Sequence, residues 1–450
     1  MGMNMENFKT IVLINLVVIS LFLTFNLWTY VPDSNSMQNT KFVEGTTVPE
    51  SADVSNVILP SSVIVHKDNK RHFVSEKQEN INLIYNILKN GELQDWTNIT
   101  STIPKSEFLS YVHGEGKIEI VFPTTIPFGA IRSVLSIKDK KLEKQSFDRI
   151  IIDPSRSRDQ NIDINFVAYN SRQIYRMTLK DVNVRDIVNA ENKFVVLARP
   201  YFEYRINNAK SIFLPDGATE KRNWMYITSN MEIEAFKNAL FSDPRYATLI
   251  SNNHTDETYT DGIRSMQIKQ NGIKLEYTNS SITRDNSIDD NILVQKSFEF
   301  LNGHNGITDN YRFVYVDPKG ETKFRLYEND LPVFNKDRLT TIKQIWGSEG
   351  LISYQRPLFK FAGSSQEDKV ILPPGHTVIQ SLANNPDIDK NLIQNIGIGY
   401  KFVLGNHPSG PMGTKTITGM LKPIWYVEYG EDHMMYEWSE EKGGSLIGLE

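Results

Sequence analysis

The chain of 450 residues is long enough for two or three domains that each bury their own core. Its 49 basic and 54 acidic side chains give a net charge of −5 without any basic block, so nucleic acid is not predicted as a partner. Cysteine is absent, which excludes disulfide bonds, thiol catalysis and thiolate-bound metal centres.

The first predicted element is a transmembrane helix over residues 10–31, which carry no charged side chain. At about 1.5 Å per residue this segment reaches roughly 33 Å, enough to cross the ~30 Å hydrocarbon layer. A cleaved signal peptide is the alternative, but residues 26–30 are bulky where a signal peptidase needs small side chains. Trp28 and Tyr30 instead fit the interfacial aromatic belt, and Lys9 before the span predicts a cytoplasmic N-terminus with the bulk of the chain extracytoplasmic.

One face of this predicted helix carries polar side chains. At about 100° per residue, five side chains fall within roughly 40° of one line: Asn15, Ile19, Phe22, Asn26 and Thr29. An asparagine amide that faces lipid is costly, whereas one that faces another helix can form a hydrogen bond with it. The stripe is therefore a candidate surface for helix–helix interaction. The alternative is that both asparagines lie away from the bilayer centre, where polar groups cost less.

The rest of the chain predicts an α+β fold, in which antiparallel sheets are packed by a few helices. Amphipathic helices are expected at 76–90, 231–241, 288–301 and 377–383, and a strand at 194–204. Asn271-Gly272 predicts a tight hairpin. The predicted organisation is a cytoplasmic tail at 1–9, a transmembrane helix at 10–31, a flexible linker at 32–56, an N-terminal extracellular domain at 57–200, a central α+β domain at 201–286 and a C-terminal α+β domain at 287–450.

No motif predicts a catalytic, cofactor-binding or metal site. The eight histidines show neither HxH nor HExxH spacing, and the glycine and serine patterns of nucleotide-binding and acyl-transfer sites are absent. Carboxylates are too numerous for any one pair to be assigned as a glycosidase dyad. Aromatic strands such as residues 423–429 indicate core packing or a protein-binding face.

Five segments spread over the whole chain are distinctive in combination: NLWTYVPD at 26–33, YRFVYV at 311–316, LPVF at 331–334, GIGY at 397–400 and LKPIWYV at 421–427. Together they resemble the YycH (also called WalH) family of regulatory proteins of low-GC Gram-positive bacteria. The resemblance implies a membrane-anchored protein that binds, with YycI, the sensor histidine kinase WalK (YycG) and tunes cell-wall metabolism. It also implies contacts between transmembrane helices and three extracellular domains. It transfers no catalytic residue.

Two other functions stay open at this point. A membrane-anchored cell-wall enzyme, such as a hydrolase, would need a cleft with convergent carboxylates or a bound metal. An extracytoplasmic module that binds a peptide or wall fragment would be favoured by a deep apolar pocket near Trp425.

Overall fold

The computed structural model describes residues 13–21, 23–24 and 53–450, except 69, 140–141, 143, 159–160, 253–255, 285–287, 305–306, 406–416 and 442. The chain separates into two units, Met1–Thr47 and Val48–Glu450.

In the first unit, residues 13–21 and 23–24 are α-helical. The large apolar side chains described there are 51–66% exposed. Asn15 and Ile19 lie on this helical stretch, whereas Phe22, Asn26, Trp28, Thr29 and Tyr30 fall outside the described residues. Among the residues described, no helix is both long enough and apolar enough to span a bilayer. The transmembrane helix and its binding stripe therefore stay predictions.

The second unit begins with a sheet that residues 62–215 form around four helices. Its strands are β1 Ser62–His66, β2 His72–Ser75, β3 Glu92–Asn98, β4 Ile118–Pro127, β5 Ser136–Ile137, β6 Ser146–Arg158, β7 Asn161–Ala168, β8 Gln173–Lys180, β9 Arg199–Asn207 and β10 Lys210–Pro215. The helices are α1 Gln78–Asn90, α2 Phe108–Val112, α3 Phe128–Ile131 and α4 Val184–Leu197. The strand order is β10-β9-β2-β1-β4-β6-β7-β8-β3-β5. Neighbouring strands are antiparallel except β3 and β5.

The remaining described strands form a second, larger sheet. They are β11 Thr219–Asn230, β12 Thr248–Asn252, β13 Glu257–Thr260, β14 Arg264–Lys269, β15 Lys274–Asn279, β16 Tyr311–Val316, β17 Glu321–Glu328, β18 Leu331–Phe334, β19 Thr341–Gly347, β20 Gly350–Pro357, β21 Phe359–Leu372, β22 Ile393–Gly405, β23 Thr418–Tyr429, β24 Met434–Ser439 and β25 Ser445–Gly448. The helices are α5 Ile233–Leu240, α6 Asp290–Gly303 and α7 Gly375–Asn384. The main path is β12-β13-β14-β15-β20-β19-β17-β18-β22-β23-β11-β21, and β16 and β24-β25 pair beside it.

The predicted α+β class is confirmed, and so are the four predicted helices, which are α1, α5, α6 and α7. The strand predicted at 194–204 is wrong in its first part, because residues 184–197 form α4. The side chain of Asn183 caps this helix, and Ile187, Ala190 and Phe194 recur at helical spacing on its buried side. The predicted domain boundaries at 200 and 286 stay predictions.

The two faces of the first sheet have different neighbours. Along β4, Ile118 and Ile120 point into the large hydrophobic core that α1 and α4 cover. The opposite face carries Ile151 of β6 in a smaller cluster with α2. Since successive strand residues alternate between faces, Glu119 lies on this second face.

The two sheets are joined by direct contacts within the second unit. The backbone N–H of Phe313 donates to the carbonyl oxygen of Val57 at 3.0 Å. The N–H of Gly129 donates to Oδ1 of Asn291 at 2.7 Å, linking α3 to α6. These contacts hold the two sheets on either side of a cleft.

Candidate functional site

A buried carboxylate forms the centre of a polar cluster on the first sheet. The Glu119 side chain is 0% exposed. Arg149 on β6 donates from Nη1 to both carboxylate oxygens, at 3.3 and 2.9 Å. A buried carboxylate needs such a partner, because removal from water penalises its charge. Glu119 and Arg149 therefore form a buried ion pair on this face of the first sheet.

Three histidines surround this carboxylate. His66 ends β1 and His72 begins β2, and the turn between them places the two Nδ1 atoms 2.8 Å apart. Nε2 of His66 lies 3.5 Å from Oε1 of Glu119. His113 follows α2, and its Nδ1 lies 2.9 Å from the same oxygen. Three imidazoles and one carboxylate therefore converge from four elements of the chain: β1, β2, the end of α2 and β4.

Aromatic side chains enclose the cluster. The hydroxyl of Tyr169 lies 2.8 Å from Nε2 of His113 and accepts a hydrogen bond from the N–H of Ser211 at 2.9 Å. The ring of Phe213 packs against all three histidine rings, with centroid distances of 4.9–5.3 Å. Arg149 lies over the ring of Tyr169, 3.7 Å from its centroid. These rings lower the local polarity and strengthen the charge–charge interactions inside.

Burial and pairing set the protonation states. Burial alone would raise the pKa of Glu119, but attraction to His113 and Arg149 holds that pKa well below its ordinary value. Burial lowers the pKa of His113 against the pull of Glu119. Burial, with repulsion from His66, lowers the pKa of His72 to about 4. Near neutral pH the cluster therefore holds an ionised carboxylate and a neutral His72.

The cluster lies beside a cleft of about 520 Å³ that is lined by residues of both sheets. Arg149, Tyr169 and Phe213 both contact the cluster and line this cleft. On the opposite wall, Nη2 of Arg325 lies 2.7 Å from Oε2 of Glu450. The cleft is therefore charged as well as aromatic.

The aromatic strand near Trp425 divides between the core and this cleft. Trp425 is 1% exposed and its Nε1 donates to the carbonyl oxygen of Pro373 at 3.1 Å. Its neighbour Tyr426 lines the cleft. Lys210 reaches across and donates to Oε1 of Gln394 at 2.6 Å. The sequence suggested a deep apolar pocket here as the mark of a binding module, and the observed cleft is of mixed polarity.

The sequence did not anticipate the histidine cluster. The three histidines and Glu119 show none of the short metal-ligand spacings, and the sheet topology brings them together. The available signal was weak: two histidines flank a five-residue polar turn, and one charged residue interrupts the apolar run of β4. The predicted stripe residues Asn15 and Ile19 belong to the other unit.

The fold places the chain among mixed α+β proteins whose two halves each build a large, mainly antiparallel sheet. Two family models match these halves, YycH protein, N-terminal domain, over residues 6–195 and YycH protein, C-terminal domain, over residues 209–441. The chain therefore belongs to the YycH family, which is a family of two-component regulatory accessory proteins.

Two relatives extend this match over most of the chain. A Bacillus subtilis (strain 168) protein described as "Two-component system WalR/WalK regulatory protein YycH" is 24% identical over 437 residues, which is 94% of each chain. The crystal structure of YycH from Bacillus subtilis superposes with a TM-score of 0.72 at 20% identity, covering 90% of this chain and 99% of that one. The second comparison confirms the fold.

Proposed function

We propose that this protein is a membrane-anchored accessory regulator that binds, with a YycI-like protein, the sensor histidine kinase WalK (YycG) and modulates its activity and hence cell-wall metabolism. The observation that supports the proposal is a match, over 94% of both chains, to a relative described as a regulatory protein of WalR/WalK. The two family models match residues 6–195 and 209–441, which include most of both sheets. A shared role is more readily inferred from such coverage than from one shared domain.

The proposed anchor is the segment 10–31, with the N-terminus in the cytoplasm and the bulk of the chain outside the cell membrane. It is supported by the absence of charge and by the helical conformation of residues 13–21. The large apolar side chains described there are more than half exposed, as a lipid-facing helix requires. This helix would contact lipid on most sides and present the Asn15–Asn26 stripe to another helix.

Such a protein can change the activity of a kinase only by binding one of its conformational states more tightly than another. A coupling of roughly 1–3 kcal/mol changes the ratio of two states by about 5–150-fold. Contacts in the bilayer and contacts of the two outer sheets would both add to this difference. The proposal therefore assigns part of the binding to the anchor and part to the outer unit.

The anchor contribution is tested by replacing Asn15 and Asn26 with Leu and measuring how much kinase co-purifies from detergent. Recovery should fall, because the cross-helix hydrogen bonds are lost while the helix stays apolar. Ser20→Leu is the matched control, since residue 20 lies about 140° from Asn15 around a helix. Unchanged recovery with the double variant, or an equal loss with the control, would disprove the role of the stripe.

The proposal as a whole is tested by crosslinking in membranes that contain the kinase. Three forms are compared: residues 1–56 alone, residues 57–450 alone, and the full chain. The full chain should crosslink to the kinase more efficiently than either part. Absence of any crosslink for the full chain, under conditions in which the kinase crosslinks to itself, would overturn the proposal.

The cleft favours a second candidate, an extracytoplasmic module for a peptide or a wall fragment. A cavity of about 520 Å³ with both aromatic and charged walls suits a small polar ligand. Titration calorimetry of the full chain with soluble muropeptides tests it. Saturable binding that is lost on replacing the cleft residue Tyr426 with Ala would support this candidate, and no heat of binding at millimolar ligand would reject it for muropeptides.

A further inference from the structure

We propose that His66, His113 and Glu119 form a binding site for a divalent transition metal of the zinc class. One ligand atom of each residue lies within 4.8 Å of a ligand atom of the other two, and all three residues are buried. Two imidazoles and one carboxylate are a ligand set that suits zinc. The proposed site is independent of kinase binding.

The spacing of the three ligand atoms fits an ion between them. Bonds of about 2.0–2.1 Å in a tetrahedron place neighbouring ligand atoms roughly 3.3 Å apart. Nε2 of His66 lies 3.5 Å from Oε1 of Glu119, and Nδ1 of His113 lies 2.9 Å from it. The shorter distance would have to open by about 0.4 Å to reach that tetrahedral spacing. This change is within the reach of a side-chain rotation.

Each proposed ligand has a partner for its second polar atom. Arg149 holds the other carboxylate oxygen of Glu119 at 2.9 Å. Nδ1 of His66 faces Nδ1 of His72, and Nε2 of His113 faces the hydroxyl of Tyr169. Hydrogen bonds to the far side of each ligand orient zinc-binding residues in this way.

The protons can rearrange to admit the ion. Without metal, Nδ1–H of His113 donates to Glu119, and Tyr169 donates to Nε2. With metal on Nδ1, the ring proton of His113 moves from Nδ1 to Nε2, and Nε2–H donates to Tyr169. The hydroxyl hydrogen of Tyr169 then turns toward the carbonyl oxygen of Ser211, 3.4 Å away. Both states therefore satisfy the same partners.

One weakly bonded atom distinguishes the proposed metal site from a closed hydrogen-bond network. Nε2 of His66 is fully buried, and its contact with Oε1 of Glu119, at 3.5 Å, is too long for a good hydrogen bond. Buried polar atoms are nearly always paired, so a weakly bonded nitrogen aimed at a carboxylate calls for a ligand. A metal on this nitrogen would satisfy it.

Access to the site would be from the cleft. The ring of Phe213 packs on the histidine rings, and the same residue lines the cleft. Movement of this side chain, which is only partly buried, is the proposed route from the cleft to the cluster. A fourth metal ligand, such as water, would enter by the same route.

The test is a zinc titration of the full-length chain in detergent after treatment with a chelator, with a purification tag that lacks histidine. We expect one tight equivalent of zinc by calorimetry, and with Co²⁺ the visible absorption bands of a tetrahedral site. Because the chain has no cysteine, thiolate binding cannot produce either signal. Absence of a stoichiometric site in the wild-type chain would overturn the proposal whatever the variants show.

The ligands are tested by His66→Gln and His113→Gln. Each should weaken zinc binding by at least about 10–100-fold, the loss seen when even an outer-shell partner is removed. His433→Gln is the matched control, since this exposed histidine also pairs with a carboxylate, Glu428, at 2.6 Å. Wild-type affinity in both ligand variants would overturn the assignment. If a variant is misfolded by circular dichroism, the wild-type cobalt spectrum decides.

Discussion

Replacing Glu119 with Gln tests the central charge of the polar cluster. The substitution keeps the shape and an acceptor for His113 but removes the negative charge that faces Arg149, whose side chain is 13% exposed. Breaking a buried ion pair by removing one partner costs about 3–5 kcal/mol, because the other charge stays buried without compensation. We expect a loss of this size in the free energy of unfolding, measured with urea at pH 7 in the presence of a chelator.

A double-mutant cycle separates the pair from its surroundings. Arg149→Met leaves Glu119 buried with only histidine donors and should also cost about 3–5 kcal/mol. The double variant removes both charges and should be more stable than the sum of the single losses predicts, by at least about 2 kcal/mol. Losses that add to within about 0.5 kcal/mol would show that the two charges do not interact. They would refute the interpretation of the cluster as a charge pair.

Two further predictions concern other parts of the second unit. Burial lowers the pKa of His304 below 6.5, against the hydrogen bond to the carbonyl oxygen of Phe300, so the unfolded chain binds more protons below that pH. Stability should therefore fall as the pH drops through 6.5. His304→Gln should reduce the change in Tm between pH 7.5 and 5. An unchanged dependence of Tm on pH in this variant would contradict the prediction. Gly320 has φ +84°, and a Cβ there would lie 2.2 Å from the carbonyl oxygen of Trp346. Gly320→Ala should lower the free energy of unfolding in urea by about 2–4 kcal/mol. Gly217→Ala is the control and should be nearly neutral, because no atom lies within 4 Å of a Cβ placed there. Similar losses for both variants would contradict the steric argument.

The sequence predicted elements whose signals are local. Asn271-Gly272 predicted a hairpin, and the structure joins β14 to β15 there, pairing Lys269 with Lys274. Asn271 and Gly272 adopt φ values of 59° and 93°, the left-handed conformations that a tight hairpin turn requires. The residues that form a turn and the apolar spacing of a helix or strand are local patterns, so both can be recognised in a single sequence.

Where two local signals conflict, tertiary packing decides whether the segment forms a helix or a strand. The run FVVL at residues 194–197 is rich in β-branched residues and favours a strand. The cap at Asn183 and the apolar spacing of Ile187 and Phe194 favour a helix, and α1 supplies the surface on which that helix packs. The helix is formed because tertiary contacts outweigh the strand preference of its last turn.

The order of strands could not be predicted, and the cluster depends on it. In the sequence, Glu119 alternates with Ile118 and Ile120 as a solvent-facing residue would. The structure places α2 on that face and Phe213 beside it, and the glutamate is 0% exposed. A charged residue in an alternating strand is therefore buried or exposed according to elements that are distant in sequence. Sites of this kind, built from strand ends and covered by remote segments, leave no fixed spacing for a motif to match.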